Sequence, residues 1–147
     1  MARAQEGRRT HRFPVRVYYE DTDLAGIVYY ANYLRFIERA RSEMLRTFGI
    51  DQRAMKERER LVFAVRRLAA DYHRPARFDD LLTVETRTVA VTGARIVLEQ
   101  DVLRGAERLF SARVEIACLE ESGRPVRIPA EIRHKLAGGG AFADKNA

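Results

Sequence analysis

Near the start of the chain three carboxylates, Glu20, Asp21 and Asp23, stand together in "YYEDTDLAGIVYYANYLRFIERAR", residues 18–41. A carboxylate beside a turn can accept hydrogen bonds from loose backbone amides and shape the loop. Held among apolar side chains, it becomes a stronger base than in water and can do chemistry. Gly26 follows, marking a backbone that needs positive φ or the close approach of a ligand. Tyr30 then falls near the first turn of an expected helix, where N–H groups lack intrahelical partners. Such a terminus polarises a carbonyl and accepts negative charge. From spacing alone, Asp23 stays open between catalysis and an Asx turn or helix cap.

The elements that must position these residues can be read from periodicity. Phe13 to Glu20 predicts a strand, since Phe13, Val15 and Val17 alternate with Pro14, Arg16 and Tyr18. A loop over 21–28 leads into a helix from about Tyr30 to Phe48. Tyr30, Tyr33, Leu34, Ile37, Ala40, Met44, Leu45 and Phe48 form its apolar stripe, and Gly49 stops it. Phe36 falls off that stripe, which suggests a helix covered on more than one side. A short helical piece is expected over Asp51–Glu59. Four β-capable stretches follow, Leu61–Tyr72, Leu82–Val91, Arg95–Leu103 and Leu109–Leu119, separated by "RPARFDD", "TG" and "RGAE". One long helix and a run of strands predict an α+β domain, the helix packed on one face of an antiparallel sheet. Its edge strands would suit pairing into a dimer.

With 147 residues, 46% hydrophobic and 33% charged, the chain suits one globular domain with a real core. The expected division is a disordered basic tail over 1–11, the domain over 12–136, and a disordered glycine-rich tail over 137–147. No apolar run is long enough to span a membrane, and the basic N-terminus lacks the apolar segment of a secretory signal. The single cysteine, Cys118, lies in an alternating apolar stretch and reads as a buried structural thiol in a reducing, cytoplasmic compartment. A net charge of +6 raises nucleic-acid binding, but the arginines are dispersed and no recognition helix or aromatic-basic platform is present. His11, His73 and His134 have no partner at triad or metal-ligand spacing, so no metal site is expected.

The run Asp21, Asp23, Gly26, Val28, Tyr30, Asn32 and Tyr33 closely resembles the active-site segment of the 4-hydroxybenzoyl-CoA thioesterase family. Within that family it is most similar to the Tol–Pal-associated acyl-CoA thioesterase group. Weaker likeness continues through "DDLLTVET" and "RPVRIPAEIR". The resemblance implies a hotdog fold, a long central helix wrapped by an antiparallel sheet, with sheets pairing into a dimer. It implies hydrolysis of an acyl-CoA with a short-chain or aromatic acyl group, without a cofactor.

By that resemblance Asp23 is the catalytic carboxylate, attacking directly or activating water, and the Tyr30 amide polarises the thioester carbonyl. Asp21 reads as structural, bonding loop amides, and Glu20 as a solvated strand-end charge. Gly26, Val28, Asn32 and Tyr33 are the expected substrate-side loop and helix-start residues. Arg95, Arg124 and Arg127 align loosely with positions that meet the CoA phosphates. The nearest group usually carries histidine where Tyr30 stands, while tyrosine matches the aromatic-thioester members, so an imidazole has no role here. The family places the site between protomers, implying a homodimer or homotetramer. The alternative is a non-hydrolytic module that holds an acyl-CoA or acyl-carrier protein within an envelope or lipid assembly.

Overall fold

Alternation of apolar and polar side chains builds one six-stranded antiparallel sheet in the order β1-β3-β4-β5-β2, with β6 pairing β5. The structure is a computed structural model that describes residues 9–139. Its strands are β1 (Thr10–Arg16), β2 (Leu61–Tyr72), β3 (Leu81–Val91), β4 (Arg95–Arg104), β5 (Glu107–Glu120) and β6 (Pro125–Val126). Its α-helices are α1 (Asn32–Thr47), α2 (Gln52–Ala54, running on as a wider turn over Met55–Glu59) and α3 (Ala130–His134). The expected tails lie mostly outside the described residues, although β1 begins at Thr10, inside the stretch assigned to the first tail.

Several boundaries differ from expectation for local reasons. The first strand ends at Arg16 rather than Glu20, because Tyr19–Asp21 winds into a 3-10 turn. The backbone N–H of Asn32 donates to Tyr29 O at 2.8 Å, and regular helix starts there instead of at Tyr30. Phe36 lies on the buried stripe with Tyr33, Ile37, Ala40 and Met44, whereas Leu34 points outward. The three- and four-residue steps are the same as predicted, with Tyr33, Ile37, Ala40, Met44, Leu45 and Phe48 buried, and only the start of the stripe is turned, by roughly a quarter turn. The small strand β6 and helix α3 carried no strong period.

The core is the space between α1 and the inner face of the sheet. Phe36 and Ile37 from the helix are fully buried, as are Leu82, Val84, Val102, Phe110 and Val114 from the strands. Burying each such side chain stabilises the fold by about 1.5–3 kcal/mol. One polar bridge crosses this core. Gln100 donates from Nε2 to Ile37 O and to Thr86 Oγ1, each at 2.9 Å, and accepts from Arg41 Nη1 at 3.1 Å. Cys118 is buried, and that burial pushes its thiol above the ordinary range.

Strand β2 is an edge. Val62, Val65, Leu68 and Tyr72 along it are 36–49% exposed, an apolar border with one row of unpaired backbone groups. The other sheet face is charged, with Arg87 within 3.5 Å of Glu99 and Asp101, and Arg113 within 3.3 Å of Glu99. None of the described helices is long and apolar enough to cross a membrane.

Candidate active site

The segment after the 3-10 turn forms a small hairpin. Asp23 N donates to Ile27 O and Gly26 N to Asp23 O, each at 2.9 Å, and Thr22 bridges to Val28. Gly26 takes φ +81°, the positive value the sequence suggested, which lets the chain reverse within so few residues. Leu24 stands fully exposed at the tip. Asp23 therefore lies at the base of this hairpin, with Oδ1 accepting from Ala25 N at 2.9 Å. The carboxylate is exposed in the single chain, so the partly desolvated setting expected for it is not made by one protomer.

A relay of contacts holds the hairpin against the helix. Tyr33 is buried, stacked on Phe110 at 4.9 Å, and its Oη accepts from Ala76 N at 3.0 Å. Ala76 O in turn accepts from Val28 N at 2.9 Å, and Ile27 bridges to Arg77. Burial pushes the Tyr33 phenol above its usual value, so the hydroxyl stays neutral in this role. Beyond Ala76, Asp80 Oδ2 accepts from Arg77 N at 2.8 Å and from Arg104 Nη1 at 2.7 Å. Burial pushes the Asp80 carboxyl up, but those bonds outweigh it and hold it below the ordinary range.

Asp21 is structural, as expected. It is buried, with Oδ2 accepting from Tyr18 N at 2.8 Å and Oδ1 from Asn32 Nδ2 at 2.7 Å. Asn32 thus ties the loop to the first residue of α1, and Glu20 is solvated. Val28, Asn32 and Tyr33 lie beneath the loop and shape it, rather than lining an open surface.

The helix start is left open. Ala31, its N-cap, offers no side-chain bond, and the first turn holds no acid. Among the described residues the Tyr30 and Ala31 amides donate to no backbone carbonyl. Tyr29, Tyr30 and Tyr72 form an aromatic rim there, with ring centroids 5.0 and 6.3 Å apart. Tyr72, which sequence reasoning missed, donates from Oη to Tyr30 O at 2.8 Å. Its only signal was an aromatic residue ending a strand just before the "HRPAR" turn.

The three arginines lie at the far end of the sheet from the Tyr72–Phe110 pair, which meets Tyr30 and Tyr33. Arg95 pairs with Ala117 and Arg127 follows β6. Arg124 is engaged with Glu120 at 2.9 and 3.2 Å, and Arg95 is 4.0 Å from Glu115. The Arg127 guanidinium rests on Gly93, where a Cβ would come within 2.6 Å of it. Among the described residues no group of three or more His, Cys, Asp or Glu side chains could hold a metal ion.

The model of the thioesterase superfamily matches residues 25–111, from the tip of the hairpin into the first part of β5. The chain belongs to the thioesterase superfamily. It is 48% identical over 122 residues to the acyl-CoA thioesterase YbgC of Haemophilus influenzae, covering 82% of this chain and 90% of that one. A crystal structure of a probable thioesterase from Bartonella henselae superposes with a TM-score of 0.79 at 45% identity, covering 82% of this chain and all of that one. A 4-hydroxybenzoyl-CoA thioesterase mutant complexed with 4-hydroxybenzoyl-CoA superposes at 0.81 and 22% identity, covering 87% and 99%, and shows the fold alone. The hotdog architecture expected from the sequence is the one present.

Proposed function

We propose that this protein hydrolyses acyl-CoA thioesters to free acid and CoA, with Asp23 as general base or nucleophile and the Tyr30 amide as the carbonyl donor. One observation carries this reading. The Asp23 hairpin is fastened to the start of a 16-residue helix, and the Tyr30 and Ala31 amides just before that helix donate to no backbone carbonyl among the described residues. As a base, Asp23 would take a proton from water while the water oxygen bonds to the carbonyl carbon. The oxyanion would form on the Tyr30 N–H. On collapse the C–S bond breaks, and the proton held by Asp23 passes to the leaving thiolate. As a nucleophile, Asp23 would form a mixed anhydride that water then opens.

The proposed enzyme is a cytoplasmic homodimer or homotetramer in which β2 edges pair antiparallel. A two-fold axis at the midpoint of β2 would set Tyr72 beside the partner's Leu61. Three strand spacings of about 4.8 Å then put the partner's β6 and Arg127 about 14 Å away laterally, within reach of a CoA phosphate end. Arg127 suits that contact better than Arg124, whose guanidinium is already taken. The same pairing brings up the partner's copy of a cavity of about 130 Å³ lined by Met44, Leu45, Phe63, Val65 and Leu98, a seat for an acyl group. It would also cover the Asp23 carboxylate. Sedimentation should give at least twice the mass of the chain; a monomer that is fully active would refute the shared site.

Thiol release from a panel of short-chain and aromatic acyl-CoAs tests the activity. Turnover by the wild type that stops in Asp23→Asn is expected. Tight binding of the panel or of acyl-carrier protein without turnover would replace hydrolysis with the binding-module reading.

A further inference from the structure

We infer that Tyr72 is a positioning residue for catalysis, fixing and polarising the Tyr30–Ala31 peptide so that the Ala31 amide serves as a second donor to the thioester oxygen. This rests on the proposed site at the start of α1 and adds a donor and a tuning group to it. The hydroxyl bond from Tyr72 Oη to Tyr30 O is 2.8 Å long. Tyr30 C=O and Ala31 N–H are the two ends of one planar trans peptide, so fixing the oxygen fixes the direction of the N–H. A hydrogen bond donated to that oxygen also draws electron density toward it and leaves the N–H more positive. Ala31 N–H meets no backbone acceptor among the described residues, and it adjoins the equally free Tyr30 N–H. Two successive free amides at a helix start make a pair of donors suited to an oxyanion.

The placement of Tyr72 fits this task better than a packing role. Its ring is held on three sides, by Phe110 at 4.9 Å, Tyr33 at 5.6 Å and Tyr30 at 6.3 Å, so the hydroxyl has a fixed aim. Burial, reinforced by the Tyr30 phenol, pushes its pKa up from the usual value, and the group stays a donor throughout the working range. Tyr72 also ends the edge strand β2, tying the exposed border of the sheet to the turn that carries both amides.

Tyr72→Phe keeps the ring and removes the bond. With butyryl-CoA and benzoyl-CoA we expect kcat to fall about 5- to 30-fold while KM changes less than about twofold, because the lost interaction grows only in the transition state. A raised KM at unchanged kcat, or no change in either, would overturn the role. Ala31→Pro removes the N–H at φ −76°, a value proline accepts. In that background Tyr72→Phe should cost almost nothing further; full multiplication of the two losses would also overturn the coupling. A third readout works without turnover. In Asp23→Asn, the carbonyl stretch of bound ¹³C-benzoyl-CoA should move less toward low frequency when Tyr72→Phe is added, and an unchanged band would contradict the inference. Should Asp23→Asn itself hydrolyse thioesters at the wild-type rate, the base assignment fails while the two kinetic Tyr72 readouts still stand on their own.

Discussion

At the C-terminal end of α1 the chain satisfies its loose carbonyls, whereas at the N-terminal end it leaves donors free. Gly49 takes φ +83°, its N–H donates to Arg46 O at 3.0 Å, and Ile50 N–H donates to Leu45 O at 2.9 Å. Leu45 and Ile50 are both buried, completing a Schellman cap, and Lys135 Nζ donates to Gly49 O at 3.0 Å. At the other end Ala31 caps nothing, no acid stands in the first turn, and Arg35 puts a cation there instead. That charge opposes the helix dipole. One helix thus carries an end built for stability and an end kept open. Open donors beside a helix start to which a carboxylate-bearing loop is tied are what a carbonyl-activating site requires, at some expense in stability.

Two substitutions probe this difference, the larger effect first. Gly49→Ala should destabilise by about 1–2 kcal/mol through its left-handed backbone, since the added Cβ meets only ordinary contact with Lys135 Nζ at 3.8 Å. That lowers Tm by about 3–6 °C and leaves kcat within about twofold, as read by calorimetry and thiol release. A large loss of kcat at unchanged Tm would erase the distinction between the ends. Arg35→Glu should do the reverse, raising stability by about 0.3–1 kcal/mol and Tm by about 1–3 °C. It should lower kcat/KM about 3- to 10-fold, by repelling an anionic substrate and the developing oxyanion. A variant that is both more stable and as active would show that the open end serves no substrate.

Much of this was legible in sequence because it is local. Gly49 as a stop, Asp21 as a bonded loop acid, the positive φ of Gly26 and the alternation of β5 all follow from neighbours within a few residues. The resemblance carried the hotdog fold and put Asp23 forward. What escaped depends on distant partners. Tyr72 reaches Tyr30 across 42 residues, and Tyr33 reaches Ala76 across 43. Arg124 could not be set apart from Arg127 until the turn at Ser122 folded it back onto Glu120. The setting of Asp23 escaped for another reason. It is exposed in one chain, and the surface that would enclose it belongs to the proposed second copy rather than to any local pattern.

The central claim is that Asp23 acts chemically on a thioester held at the open end of α1. It is tested most directly by measuring kcat and acyl-CoA affinity together for wild type and Asp23→Asn. We predict a loss in kcat of about 10³-fold or more, with affinity held within about threefold, because the near-isosteric amide removes the base and leaves the binding surface. Turnover within about tenfold of wild type at equal affinity would contradict it, since no general base or nucleophile is dispensable to that extent.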